Sequence, residues 1–221
     1  MLNEIFYAEC LVCGCQINFR DILCNRCFNS FEQIVFRCNS CGYPLEVESK
    51  FCKNCLSQKY YEQMYIVYWY NSVMRNFMKY VKFHYGLKYK SVFEFLLSNV
   101  DIPGDYDYIT PVPAHFTRKF RRIIQPAYLI SKILSKKYGI KYKLLLKRVK
   151  NTKYQWRCKK HERIKNISGA FKAKANLKGL KILLVDDIMT TGATINECSK
   201  VLLKNGAKKV DVFCLTKGKP I

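Results

Sequence analysis

Eight cysteines fall in four Cys-x-x-Cys pairs: Cys10/Cys13, Cys24/Cys27, Cys38/Cys41 and Cys52/Cys55. Each pair is a turn that can place two thiolates on one metal ion, and two such turns complete a tetrahedral site. Ten residues separate each pair from the next, and a shift of 28 residues lays the first four cysteines on the last four and Gly14 on Gly42. A glycine directly after the second cysteine suits a knuckle turn that needs positive φ. The segment therefore reads as a duplicated unit, 10–27 and 38–55, each half holding one structural zinc ion. The alternative is a cross-braced pairing of Cys10/Cys13 with Cys38/Cys41, against which the internal repeat speaks. A disulfide framework conflicts with an N-terminus, MLNEIFYAEC, that lacks a basic-then-apolar leader, and a redox or iron–sulfur role fits four evenly spaced pairs less well than zinc does. Cys15, the odd thiol beside the first site, is read as a spectator.

A second run with chemical content is Val185-Asp186-Asp187-Ile188-Met189-Thr190-Thr191-Gly192-Ala193-Thr194. Two consecutive carboxylates leave an apolar stretch, and a Thr/Gly-rich turn then enters a helix. Such a turn offers backbone N–H groups and hydroxyls at a helix N-terminus, which is a phosphate cradle. The neighbouring carboxylates can accept hydrogen bonds from vicinal ribose hydroxyls, so the run fits a 5-phosphorylated ribose.

The elements that must position these groups follow from periodicity. Residues 63–71 and 105–112 read as strands, 71–83 and 88–99 as helices, and 124–138 as a helix stopped by Gly139. The run 180–187 is a strand buried on both faces, 192–207 a helix with a glycine stop, and 209–217 a final strand. Strands alternating with helices indicate an α/β domain on a parallel sheet, with its ligand at the carboxyl ends of the strands. The chain thus divides into a cysteine module, 1–60, and an α/β domain, 61–221. Hydrophobic content of 49% argues for a folded chain, and no apolar run approaches a membrane span. A cytoplasmic location is the expectation.

The formal net charge is +23, and between Asp107 and Asp186 there are 22 Lys and Arg against the single acid Glu162. Self-repulsion opposes compaction, so the block implies a polyanionic partner: nucleic acid first, an anionic membrane surface second. Aromatic residues lie among the cations at Phe116, Phe120, Tyr154, Trp156 and Phe171. Cations that neutralise phosphates and rings that stack on bases make a sequence-tolerant single-strand surface. Lys153, Tyr154, Trp156, Arg157, Lys159 and Lys160 are the candidate DNA-binding residues. Core packing is the alternative role for the rings, above all for Phe171.

Residues 182–194 resemble the PRPP-binding motif of type I phosphoribosyltransferases. The whole chain resembles the ComF family, whose members join a double zinc ribbon to such a domain. Lys82-Phe83-His84-Tyr85-Gly86 is similar to the family's Lys-aromatic-x-x-Gly segment, and Pro111-Val112-Pro113-Ala114-His115 with Arg118 and Arg122 to its PVPxH…R…R stretch. Arg148, Thr152, Gln155, Arg163, Asn166 and Gly169-Ala170-Phe171 match its R-x3-T-x2-Q…R-x2-N-x2-GAF segment. The chain departs from the family at Ile123-Ile124-Gln125-Pro126, where Gly-Phe-Asn-Gln is usual, next to the family's pocket. The resemblance implies a part in natural transformation, with a single-stranded DNA partner, and associates such proteins with a helicase. It also implies transfer of phosphoribose from PRPP with Mg2+. In that reading Asp186 and Asp187 orient ribose, Thr190, Thr191, Gly192, Ala193 and Thr194 hold the 5-phosphate, and Arg118 or Arg122 meets the diphosphate. Nothing in the sequence identifies an acceptor, and the altered 123–126 segment favours binding over catalysis.

Overall fold

The computed structural model describes residues 7–18, 21–47, 49–56, 59–83, 88–114, 125–150 and 167–219. The cysteine-rich segment carries a short antiparallel pair, β1 (Tyr7–Glu9) and β2 (Gln16–Asn18), then α1 (Asn25–Asn29) and a 3-10 turn at Lys53–Leu56. There follow β3 (Met64–Trp69), α2 (Ser72–Phe83), α3 (Lys88–Leu96), β4 (Tyr108–Pro111), α4 (Pro126–Tyr138) and β5 (Lys141–Tyr142). The chain closes with β6 (Leu146–Arg148), β7 (Phe171–Ala173), β8 (Lys181–Met189), α5 (Ala193–Lys204) and β9 (Lys209–Lys217).

Five strands form one sheet in the order β3-β9-β8-β4-β5, every neighbour parallel. Central β8 is the apolar run expected of a strand covered on both faces: Ile182, Leu183, Leu184 and Val185 are all fully buried. Their alternation divides the core. Leu183 and Val185 join Ile109, Phe213 and Leu215 under Met74, Phe77, Phe93 and Ile130 of α2, α3 and α4. Ile182 and Leu184 join Val212 and Cys214 under Ile195, Cys198 and Leu202 of α5 and the Phe171 ring. Phe171 is thus a core residue.

Local chemistry explains the helix ends. Pro126 opens α4, where a missing N–H costs nothing, and Gly139 closes it at φ 68°. In α2, Met74, Phe77, Met78 and Val81 repeat at helical spacing and are fully buried. The parallel α/β architecture expected from the sequence is present, with β8 reaching two residues further than 187. Three features carried no sequence signal: the two-residue β5, the antiparallel β6–β7 pair outside the main sheet, and the covering of the β3 edge.

That edge is covered by the segment between the two cysteine groups. Ile34 N–H donates to the Val67 carbonyl at 2.8 Å, Trp69 N–H to Glu32 at 2.8 Å and Met64 N–H to Cys41 at 3.0 Å. The Arg37 guanidinium donates to the Ile66 carbonyl, 3.2 Å from Nη2. Residues 32–41 thereby satisfy the outer groups of β3, which would otherwise be an open sheet edge.

Candidate functional site

The carboxyl end of β8 carries the acid pair. Asp187 Oδ2 lies 2.9 Å from Lys82 Nζ, with the two side chains only 17% and 11% exposed. Lys82 stands in the last turn of α2, so a crossover helix and the central strand β8 meet at this carboxylate. Asp187 N–H donates to Asp186 Oδ1 at 2.9 Å, and Thr216 Oγ1 on β9 donates to the Asp187 carbonyl at 3.3 Å. Burial, and then the charge of Asp187, hold the Asp186 carboxyl well above the usual carboxylate range.

Beyond Met189 the chain turns through 190–192 and enters α5, with Gly192 at φ 76°. A side chain at that φ is strained, and a Cβ there would also press on the Met189 methyl. The first bond of the helix runs from Asn196 N–H to the Gly192 carbonyl at 2.9 Å. The N–H groups of Thr194 and Ile195 precede that bond and have no intrahelical acceptor, while the helix dipole favours negative charge at this end. Thr191, Gly192, Ala193 and Thr194 are half-buried and Thr190 is exposed. The acid pair and the anion-seeking turn are therefore brought side by side.

Among the other sequence candidates, Pro111 ends β4 beside Val185 and Val112 N–H donates to the Val185 carbonyl at 2.8 Å. Arg148 lies over the Phe171 ring, 5.2 Å to its centroid, and Gly169 N–H donates to Glu197 Oε1 of α5 at 2.7 Å. The Arg148–Phe171 pair joins β6 to β7, and the Gly169–Glu197 bond ties the turn before β7 to α5. Arg118, Arg122, Lys153, Tyr154, Trp156, Arg157, Lys159 and Lys160 lie outside the described residues. Lys82 is legible in the sequence only as the head of the Lys-aromatic-x-x-Gly segment and is not among the expected site residues; the structure adds its contact with Asp187.

The cysteines gather sequentially: Cys10, Cys13, Cys24 and Cys27 form one group, Cys38, Cys41, Cys52 and Cys55 the other, the four sulfurs of each within 4.8 Å of one another. Zinc–thiolate bonds of about 2.3 Å in a tetrahedron put sulfurs about 3.8 Å apart. The structure has Cys13–Cys24 at 3.8 Å, Cys38–Cys55 and Cys41–Cys52 at 3.6 Å, and Cys52–Cys55 at 3.8 Å. The thiols are unevenly poised: a backbone hydrogen bond from Cys15 holds Cys13 down at about 6, whereas burial pushes Cys41 up. A divalent cation would hold all four of each set as thiolates. Both tetrads fit zinc. Glycines follow the knuckles at positive φ, 73° for Gly14 and 68° for Gly42.

No helix among the described residues is long and apolar enough to cross a membrane. The Phosphoribosyl transferase domain family model matches residues 125–220. Competence protein F of Haemophilus influenzae is 28% identical over 98% of this chain and 100% of its own length. Competence protein ComFC of Bacillus subtilis is 29% identical over 87% of this chain and 83% of its own. DNA utilization protein YhgH of Salmonella typhimurium is 27% identical over 87% of this chain and 89% of its own. The chain is therefore a homologue of competence protein F and ComFC, with a parallel-sheet fold like that of type I phosphoribosyl transferases behind two cysteine tetrads that fit a double zinc ribbon.

Proposed function

We propose that this chain is a competence factor that handles single-stranded DNA in the cytoplasm and keeps a site for a 5-phosphorylated ribose at the carboxyl end of β8. The observation that carries the reading is similarity over nearly the full length to proteins named for competence and DNA utilization. The block of 22 Lys and Arg between Asp107 and Asp186 supports it independently, since such an excess suits a phosphodiester chain. Lys153, Tyr154, Trp156, Arg157, Lys159 and Lys160 supply the cations and rings for single-strand contacts in this reading. Thr190–Thr194 hold the 5-phosphate, Asp186 and Asp187 the ribose hydroxyls, and Arg118 or Arg122 the diphosphate.

A second reading is transfer of phosphoribose from PRPP–Mg2+ to an acceptor. The juxtaposition of Lys82, Asp187 and Asp186 beside an intact cradle favours it. Cations would then balance charge on the departing diphosphate while the acids hold the ribosyl centre in place.

The test is titration of PRPP–Mg2+ and of a single-stranded oligonucleotide into the wild type and into Asp186→Ala/Asp187→Ala. PRPP binding that the double variant loses, with DNA binding retained, is the expected result. DNA binding without any PRPP binding would leave the fold as a scaffold for the basic surface. Failure of the wild type to bind a single strand would overturn the DNA reading.

A further inference from the structure

Helix α5 has a second end, and the chemistry gathered there differs from that of the turn at 190–194. A groove of about 630 Å³ runs between the turn that links β7 to β8 and the end of α5, lined by Lys174, Asn176, Lys178, Lys204, Asn205 and Gly206. It is a built junction. Leu177 N–H donates to the Asn205 carbonyl at 2.9 Å and Gly179 N–H to the Gly206 carbonyl at 3.0 Å, stitching the two turns together. Gly206, at φ 98°, lies so close to Lys178 that a Cβ there would meet its Cα at 3.0 Å.

All three lysines are exposed, and none has an acidic partner among the described residues. Lys204 alone could be explained as a cation on a helix C-terminus. Lys174 and Lys178 come from a different turn, so the helix dipole does not account for them. The nearby acids are already engaged elsewhere: Asp105 pairs with Lys181 at 3.0 Å, Asp107 accepts from the Lys181 N–H at 2.8 Å and Glu62 faces Lys209 at 3.8 Å. Between 167 and 219 the acids are Asp186, Asp187, Glu197 and Asp211. The first three lie toward the other end of α5, and Asp211 is fully buried, holding the Tyr106 hydroxyl at 2.6 Å and Lys209 at 3.0 Å.

We infer that this groove is a seat for the phosphodiester backbone of single-stranded DNA, separate from the ribose-phosphate turn by the 12 residues of α5, about 17 Å at 1.5 Å per residue. The inference rests on the DNA-handling reading above and adds a surface to it. The groove has two cations on the turn between β7 and β8, a third at the last residue of α5, and two side-chain amides that can donate to phosphate oxygens. It has no aromatic side chain on which a base could stack and no carboxylate to accept from a base edge. It is therefore suited to phosphates in any sequence, and contacts of that kind position a strand without reading it.

The experiment compares the wild type, Lys174→Gln/Lys178→Gln/Lys204→Gln, and a control, Lys79→Gln/Lys136→Gln/Lys141→Gln, whose lysines are also exposed. Anisotropy titrations of a 5′-hydroxyl thymidine 20-mer are run across a salt series, with PRPP–Mg2+ binding and thermal unfolding in parallel. Three lost phosphate contacts should lower the slope of log affinity against log salt by about 2 and weaken low-salt binding at least tenfold. PRPP binding and the unfolding temperature should not move. A groove variant that binds like the wild type, or no worse than the control, overturns the groove while leaving the DNA reading standing. A wild type that binds no DNA overturns both. Displacement of the 20-mer by polyglutamate at equal charge concentration, lost in the groove variant, would instead assign the groove to an acidic polypeptide.

Discussion

The two cysteine tetrads share a spacing and differ in how they are attached. The first hangs on side chains. Ile22, Leu23, Cys27 and Phe31 enter the core beneath α2 and α3, while Cys13 and Cys15 stay exposed. The second is held by backbone. Cys41 is fully buried, its carbonyl accepts from Met64 N–H at 3.0 Å, and Gly42 lies against the Met64 carbonyl. A repeat at the level of ligands thus became two structural devices, a knob on the helical face and a clasp on the sheet edge. The lesson is that metal spacing reports the knuckles and says nothing of what they are fastened to.

Losing a metal is the harshest way to break the comparison. Structural zinc contributes about 10–16 kcal/mol in small peptide sites, so Cys13→Ser and Cys41→Ser should each reduce the metal content from two ions per chain to one. Their consequences should differ. Cys41→Ser should release residues 32–41 from β3, and amide exchange at Ile34, Met64 and Trp69 should accelerate by orders of magnitude. Cys13→Ser should leave those amides protected. Equal acceleration in both variants would mean that the two halves are one cooperative unit, and the distinction between knob and clasp would fall.

The glycines sharpen the same contrast without touching a ligand. Gly14 and Gly42 have nearly equal φ, so alanine at either costs about 1–2 kcal/mol for the left-handed conformation. A Cβ at Gly14 meets nothing within 4 Å, whereas at Gly42 it would land on the Met64 carbonyl oxygen. Gly42→Ala should therefore cost about 3 kcal/mol or more, lowering the melting temperature by about 6–12 °C or more, against about 2–8 °C for Gly14→Ala. Calorimetry on the metal-loaded proteins decides it; matching shifts would show that the Met64 carbonyl can move aside.

Much of this molecule was legible because local rules and global fold agree. Ile182 to Val185 could only be a strand covered on both sides, and Gly139 ends a helix where a periodic run stops. The duplicated Cys-x-x-Cys spacing already contained the sequential tetrads, and Asp186-Asp187 with Thr190–Thr194 marked the turn that the fold places at a strand's carboxyl end. What escaped has a common physical cause. Lys82 reaches Asp187 from more than a hundred residues away, a contact that no spacing encodes. Residues 32–41 pair with β3 by backbone groups, interrupted by the knuckle, so no alternation of side chains announces them. Lys174, Lys178 and Lys204 are unremarkable in a lysine-rich chain until two turns are stitched together.

The smallest expected effect lies where the first tetrad meets the helices. Phe28 of α1 packs on Phe95 of α3 with ring centroids 4.3 Å apart and planes at 48°, and Phe95 is 53% exposed. A tilted ring pair of this kind contributes about 0.5–1.5 kcal/mol beyond area burial, and half of the Phe95 surface never left water. Phe95→Ala should therefore lower stability by about 1 kcal/mol, whereas Phe77→Ala in the fully buried core beneath the same knob should cost about 3–5 kcal/mol. A double-mutant cycle of Phe28→Ala with Phe95→Ala isolates the ring contact. If the knob is fastened by side chains, the coupling is positive, and amide exchange quickens around Cys24 and Cys27 while Met64 and Trp69 stay protected. A coupling near zero would move the attachment to Leu23 and Phe31, whose rings and methyls are sealed from solvent, and Phe28 would then be a cover over the joint with no part in holding it.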